Sequence, residues 1–107
     1  MNNENVYQAK LIKKIKTLLP DAIVMKNDPT YIQGIPDLTI INGDRWATLE
    51  VKRSAHATAR PNQKEYVERM NNMSFSRFIF PENESEVLNE LQQALCTRRS
   101  TRTVRSK

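Results

Sequence analysis

Two apolar stretches rich in β-branched residues lie on either side of the dipeptide Asn42-Gly43. Asn-Gly between two such stretches is the strongest short signal for a β-hairpin, because both residues tolerate the positive φ that the tight turn requires. We therefore predict antiparallel strands at about residues 36–42 and 45–52. A hairpin buries its apolar face only when other elements cover it, so the rest of the chain must supply that cover.

The remaining segments alternate between helical and extended patterns. The predicted elements are, in chain order, a helix at about 3–19, strands at about 21–26, 36–42 and 45–52, a helix at 61–72, a strand at 76–80 and a helix at 84–96. Pro20 ends the first helix, and Pro61 suits the first turn of the second.

Asn83 is the predicted N-cap of the last helix, with Glu86 as its capping-box partner. The buried face of the second helix is predicted to consist of Tyr66, Val67, Met70 and Met73. This order indicates an α/β fold of the α+β kind, with a mixed sheet covered by helices.

The length of 107 residues fits one small domain, which we expect to span residues 1–96. No apolar run approaches the roughly 18 residues of a membrane span, and the polar N-terminus lacks the apolar core of a secretory signal. The single cysteine, Cys96, cannot form an internal disulfide, so we expect it to pack on a helix in a reducing cytoplasm.

The segment 97–107, TRRSTRTVRSK, carries five of the 17 basic residues and none of the 12 acidic ones, so it accounts for the whole net charge of +5. A polar segment without apolar periodicity cannot bury enough surface to order itself, which predicts a flexible tail. Arg98, Arg99 and Arg102 are its candidate nucleic-acid contacts, since basic side chains along a phosphate backbone release counterions. A solubilising end without a partner is the alternative.

Three charged residues interrupt the predicted hairpin: Asp37, Glu50 and Lys52. Side chains alternate faces along a strand, so Glu50 and Lys52 share one face. A two-residue turn places Asp37 opposite Thr48 and a four-residue loop places it opposite Glu50, and both registers put it on that same face. A three-residue loop would move it to the other face. Two carboxylates on opposed strands repel unless a proton or a cation lies between them.

A hard divalent cation suits such a pair, because Mg²⁺ takes oxygen ligands and usually keeps several waters. The ion can polarise a phosphoryl oxygen and lower the pKa of a water molecule. Lys52 would point to the same place, where it could orient the attacking water or stabilise charge on the phosphate. The grouping therefore suits metal-assisted phosphodiester hydrolysis. Ordinary salt bridges of Asp37 or Glu50 with Lys52 are the alternative.

Two further polar residues lie at the N-terminal ends of core-facing helical stripes. Glu4 lies on the core-facing side of the first helix and Gln63 on that of the second, each at the N-terminal end. Both could therefore complete a cleft above the sheet. Alternatively, Glu4 only favours the helix dipole and Gln63 meets solvent. A lone histidine, His56, excludes a histidine-rich metal site. Only two glycines in the chain exclude a glycine-rich phosphate loop.

The segment GIPD, ending at Asp37, is followed after twelve residues by EVK, beginning at Glu50. This pattern resembles the PD-(D/E)XK nuclease signature. With Glu4 and Gln8 in the first helix and Gln63 downstream, it is most similar to the stand-alone VRR-NUC branch of that superfamily. The predicted elements are similar to its restriction-endonuclease-like αβββαβ core, with an extra C-terminal helix.

The resemblance implies an endonuclease that leaves 5′-phosphate and 3′-hydroxyl ends. The resemblance implicates Asp37 and Glu50 as ligands of Mg²⁺ or Mn²⁺, with the Val51 carbonyl as a possible extra ligand. It also implies that Lys52 is catalytic and that Glu4 and Gln63 are accessory active-site groups. Arg53, Arg60 and Lys64 flank the expected cleft and are candidate phosphate contacts, although a solvated face suits each of them equally.

Short stand-alone proteins of the VRR-NUC branch are similar to phage or bacterial endonucleases that act on branched DNA such as Holliday junctions, often as homodimers. The resemblance thus implies DNA as partner and a bacterial cytoplasm as location, that of the host if a phage encodes the chain. Two other readings of function stay open: a nucleic-acid-binding module without turnover, and a nuclease subunit that needs a partner protein.

Overall fold

The computed structural model describes residues 3–96. Its elements are α1 (Asn3–Leu18), β1 (Ile23–Lys26), β2 (Leu38–Asn42), β3 (Arg45–Val51), α2 (Pro61–Met73), β4 (Phe75–Ile79), a 3-10 turn (Pro81–Asn83) and α3 (Glu84–Cys96). The predicted order of elements is confirmed, and their ends shift by at most two residues. Within the described part of the chain, no helix has the length and apolar character needed to cross a membrane.

The four strands form one sheet in the order β1-β2-β3-β4. The pairs β1–β2 and β2–β3 are antiparallel, whereas β3 and β4 are parallel. Parallel neighbours cannot be joined by a tight turn, and α2 provides the crossover that connects them. The predicted mixed sheet is therefore confirmed.

The hairpin turn lies one residue later than the Asn42-Gly43 dipeptide that predicted it. Asn42 pairs with Arg45, so Gly43 and Asp44 form the turn, and Gly43 has a φ of 68°. Leu38 pairs with Leu49, and the same register sets Asp37 opposite Glu50. This is the register predicted for a four-residue loop, which also places Asp37 opposite Glu50. The additional pair of Asn42 with Arg45 shortens that loop to two residues. The Asn42 side chain is thereby left to donate a 3.0 Å hydrogen bond to the Leu95 carbonyl at the end of α3.

One face of the sheet is apolar and is covered by α1 and α3. The buried cluster on this face consists of Leu11, Ile15, Leu19, Leu38, Ile40, Ala47, Leu49, Val51, Phe75, Ile79, Val87, Leu88, Leu91 and Leu95. Because Leu49 and Val51 point into this cluster, strand alternation directs Glu50 to the opposite face. Cys96 packs against the cluster from α3, as predicted.

The other face is covered by α2 and is more polar. Thr48 donates a 2.7 Å hydrogen bond to Ser76, and both are buried beneath the helix. Val67 is the buried apolar residue that α2 contributes, and Met70 lies 3.7 Å from the Thr48 hydroxyl. The prediction that Met73 is buried was wrong, since it is 66% exposed. Met73 is the last residue of α2, where the chain turns away to enter β4.

The predicted capping box of the last helix was also wrong. The Asn83 side chain accepts a 2.9 Å hydrogen bond from the Phe80 N–H and donates one of 3.1 Å to the Phe78 carbonyl. The 3-10 turn leads directly into α3, so Asn83 serves the end of β4 instead of the first turn of the helix. A sequence pattern cannot distinguish these two uses, because the side chain bonds within a few residues in both.

We expect Leu91→Ala to lower the free energy of unfolding by about 2–5 kcal/mol, because it removes a fully buried side chain between α3 and the sheet. Ile23→Ala is the matched control: Ile23 is also aliphatic but is 59% exposed, so its loss should cost below about 1 kcal/mol. Urea denaturation of both variants measures the difference. Equal losses would contradict the assignment of the core to this face.

Candidate active site

Asp37 and Glu50 meet where β2 begins and β3 nears its end. Asp37 immediately precedes β2, and its Oδ2 accepts a 2.9 Å hydrogen bond from the Val51 N–H. That bond fixes the carboxylate of Asp37 against the end of β3, next to Glu50, which is only 2% exposed. The register of β2 and β3 places Asp37 directly opposite Glu50, so the two residues lie on the same face of the sheet.

Gln63 joins these residues to Lys52. Its Nε2 donates a 3.0 Å hydrogen bond to Glu50 Oε2, and its Oε1 accepts one of 3.0 Å from Lys52 Nζ. The same Oε1 accepts from the Arg60 N–H at 2.9 Å, which ties the amide to the first turn of α2. Lys52 Nζ also lies 3.6 Å from Glu50 Oε2. The sequence left open whether Gln63 completes the cleft or meets solvent. In the structure its side chain contacts Glu50 and Lys52.

The second oxygen of Glu50, Oε1, is buried and has no hydrogen-bond partner among residues 3–96. Such an atom costs free energy because it has lost its water without replacement. The salt bridge to Lys52 engages Oε2 only, so the simple salt-bridge alternative leaves Oε1 unexplained. A proton or a cation would satisfy it.

Burial and, to a smaller extent, the charges of Asp37 and Glu4 together raise the pKa of Glu50 to about 7, against the opposing effect of Lys52. Burial also raises the pKa of Asp37, against the hydrogen bond from Val51 and the charge of Lys52. Desolvation is the main cause of both shifts, and for Glu50 the neighbouring charge of Asp37 adds to it. Below about pH 7, Glu50 therefore favours the protonated form when no cation is bound.

The arrangement fits a divalent cation with few protein ligands. Within the described part of the chain, no group of three or more His, Cys, Asp or Glu side chains is placed to hold a metal. An ion here would take side-chain oxygens from Asp37 and Glu50 and would depend on the Val51 carbonyl and on water for the rest. Mg²⁺ commonly binds in this way.

The other predicted site residues lie further out. Glu4, in the first turn of α1, is half-buried, and its charge reaches Glu50. Arg53, Arg60 and Lys64 are exposed, as is His56 in the connection before α2. The remaining candidates, Arg98, Arg99 and Arg102, lie outside the described residues.

A cleft of about 630 Å³ opens beside Asp37. Its lining is Pro29, Thr30, Tyr31, Gln33, Gly34, Ile35, Asp37, Arg60, Asn62 and Gln63. Tyr31 and Asn62 were not among the predicted site residues. The nearest signal in the sequence was the turn-rich segment NDPTYIQG next to the motif, which predicts a loop but not which side chains face the site.

Gly34 brings this loop against α2. It has a φ of 90°, and a Cβ atom built on it would lie 2.8 Å from Asn62 Cγ. A side chain at this position would both strain the backbone and collide with Asn62. The glycine that precedes the PD pair thus permits a close approach of loop and helix, which closes one wall of the cleft.

Comparison with known proteins supports the nuclease-like fold. No protein-family model matches the sequence, and no curated protein matches it either. Among solved structures, the chain is similar to one described as a "VRR_NUC domain protein", with a TM-score of 0.64, 18% sequence identity and coverage of 89% of each chain. A similarity at this identity establishes the fold, and the resemblance to the VRR-NUC branch is confirmed at that level.

We expect the metal-free protein to lose stability as the pH rises from about 4.5 to about 7. Glu50 has an ordinary pKa of 4.5 and a folded pKa of about 7, so the folded state binds more protons than the unfolded state between those values. The stability present below pH 4.5 is therefore lost on ionisation, up to about 3 kcal/mol. The raised pKa of Asp37 adds a decline in the same direction.

Urea denaturation in EDTA across this range measures the effect, and Glu50→Gln should flatten the decline. Glu68→Gln, an exposed carboxylate on α2, is the matched control and should keep the wild-type slope. An unchanged slope in Glu50→Gln would show that Glu50 is not the group responsible.

Proposed function

We propose that this chain is a metal-dependent endonuclease that hydrolyses DNA phosphodiester bonds. The single observation that supports it most is the buried, unpartnered Oε1 of Glu50 beside Asp37 and Lys52. A fold kept only for binding has no need of such an atom, whereas a cation site does. The VRR_NUC-type fold agrees with a nuclease.

Mg²⁺ or Mn²⁺ would be held by Asp37, Glu50 and the carbonyl of Val51. When bound, such an ion polarises a phosphoryl oxygen and makes water more acidic. The two carboxylates would compensate the charge of the ion, and the same contact would relieve their repulsion.

Lys52 would act on the phosphate and the attacking water. Its ammonium is held by Gln63 at 3.0 Å and is largely buried, so it is presented in one position with little water around it. A positive charge fixed there stabilises negative charge that develops on the phosphate in the transition state. Gln63 would be a positioning residue, since it bonds both Lys52 and Glu50 and would keep their separation constant. Glu4 would adjust the charge of the site from the end of α1.

The proposed substrate is branched DNA of the Holliday-junction kind. The exposed side chains of Arg53, Arg60 and Lys64, with Arg98, Arg99 and Arg102 of the C-terminal segment, would contact phosphates. Phosphate contacts carry no sequence information, so selection would depend on DNA shape. A homodimer with a twofold axis would supply two such sites for symmetrical cuts.

We expect Asp37→Asn and Lys52→Ala each to lower the rate of metal-dependent DNA cleavage by roughly 10²-fold or more, while DNA binding is retained. The reason is that each change removes a charge from the site but leaves the exposed basic surface intact. The measurement is a cleavage panel of linear, forked and four-way DNA with Mg²⁺ or Mn²⁺, alongside binding in EDTA. Glu68→Gln is the control and should cleave like the wild type.

Two results would contradict the proposal. Purified wild-type chain that binds DNA but cleaves nothing in the panel would favour a binding module or a subunit that needs a partner protein. Cleavage that persists in Asp37→Asn would place the chemistry elsewhere or in a contaminant.

Metal binding can be tested without catalysis. We expect Mn²⁺ at pH 8 to raise the Tm of the wild type, because the ion binds the ionised Asp37–Glu50 pair of the folded state and not the unfolded chain. At a hundredfold excess over Kd the gain is about 2.7 kcal/mol. Glu50→Gln should lose this gain, and Glu68→Gln should keep it. An equal gain in all three proteins would mean that Mn²⁺ binds at another place.

A further inference from the structure

The cleft beside Asp37 extends well beyond the carboxylate pair. One wall is the loop of residues 28–35 and the other is the first turn of α2 with its preceding residue, Arg60. Asp37 is the acidic residue of its lining and Arg60 the basic one, and the other polar groups are amides and hydroxyls. Its volume of about 630 Å³ falls within the roughly 300–1,000 Å³ typical of small-ligand sites. Such a lining suits a planar group with a hydrogen-bonding edge next to an anion.

Tyr31 is the aromatic residue in the lining of this cleft. Its side chain is 85% exposed, the highest value among the large apolar side chains of residues 3–96 that are exposed. Aromatic rings bury a large area when they bind, so a ring this exposed is available for contact with a ligand. No buried packing role competes with that use.

The turn that carries Tyr31 is held in shape. Asp28 Oδ1 accepts hydrogen bonds from the Thr30 N–H at 2.9 Å and from the Thr30 hydroxyl at 2.6 Å, and the Asp28 carbonyl accepts one from the Tyr31 N–H at 3.1 Å. Gly34 then packs the loop against Asn62. A ring on such a constrained turn loses little conformational entropy when a ligand binds.

We propose that this cleft receives an unpaired nucleotide next to the bond that is cut, with its base stacked on Tyr31. Asn62 lies where an amide can bond the edge of the base, and Arg60 lies where its guanidinium can meet the phosphate. The position of the cut rests on the proposed nuclease function, whereas the stacking does not. The inference names the feature of the substrate that the cleft binds: an unpaired nucleotide, as at a bulge or a flap, or one that leaves its pair at the branch point of a junction.

The physical reason is access. A base within a continuous duplex is stacked on both faces and cannot offer one to Tyr31 without first leaving the helix. An unpaired base has little stacking to lose, and stacking on an aromatic side chain is sequence-tolerant because every base has a π-face. Tyr31 thus selects for interrupted structure without reading sequence.

The experiment measures binding of two fluorescently labelled DNA duplexes in EDTA, identical except for one unpaired central thymidine. Base–aromatic stacking contributes about 1–3 kcal/mol, so Tyr31→Ala should weaken binding of the bulged duplex by roughly tenfold. Binding of the continuous duplex should change by less than about twofold. Tyr31→Phe keeps the ring and should bind like the wild type. Met73→Ala removes an exposed apolar side chain at the other end of α2 and is the matched control.

A second measurement locates the base. Replacement of the unpaired thymidine by 5-iodouracil, followed by irradiation and peptide mapping, should give a crosslink at Tyr31. A crosslink at Trp46 or Tyr66 instead would overturn the proposal. So would equal weakening of both duplexes by Tyr31→Ala, or a Tyr31→Phe variant as weak as Tyr31→Ala. Because Tyr31 is exposed, an unchanged Tm verifies that each variant is folded.

The binding arm needs neither metal nor cleavage, so the two proposals fail separately. Selective, Tyr31-dependent binding by a chain that cuts no DNA would support the base cleft and overturn the nuclease. Metal-dependent cleavage that Tyr31→Ala leaves unchanged, with equal binding of both duplexes, would support the nuclease and overturn the base cleft.

Discussion

The hydrogen bond from the Val51 N–H to Asp37 Oδ2 connects the two strands that carry the charged residues. It joins the residue that precedes β2 to the last residue of β3, at the end of the sheet furthest from the hairpin turn. The turn fixes the register at one end, and this bond holds the strands together at the other. Without it, the carboxylate of Asp37 would have no reason to stay beside that of Glu50, which repels it.

The two faces of the sheet have different roles: one carries the apolar core and the other carries the candidate active site. On one face, the apolar cluster between the sheet, α1 and α3 supplies the burial that stabilises the domain. On the other, Glu50 is buried with an unsatisfied oxygen, which costs free energy. Because Leu49 and Val51 anchor the same strand in the core, β3 cannot shift to relieve that cost. The strand therefore holds the carboxylate of Glu50 in a buried position that costs free energy, as functional sites commonly do.

The first turn of α2 completes the site from the opposite wall. Gln63 bonds both Lys52 and Glu50, and Asn62 packs against Gly34. Two neighbouring residues of one helical turn thus reach the charged group and the loop, so any change in the angle of α2 would alter both. The hydrogen-bonded hydroxyls of Thr48 and Ser76 are buried beneath the helix, where small side chains permit a short separation between helix and sheet.

The sequence by itself determined the elements, the alternation of faces and the shared face of Glu50 and Lys52, because these depend on local periodicity. It left the hairpin register open between alternatives. Only the tertiary structure decided that register, the contact of Gln63 with the charged residues, and the exposure of Met73 and Tyr31. These depend on where a helix and a loop distant in sequence come to lie, and no local pattern encodes that distance. The misassigned capping role of Asn83 has the same cause: its side chain bonds into the preceding strand, which the pattern of its own helix does not reveal.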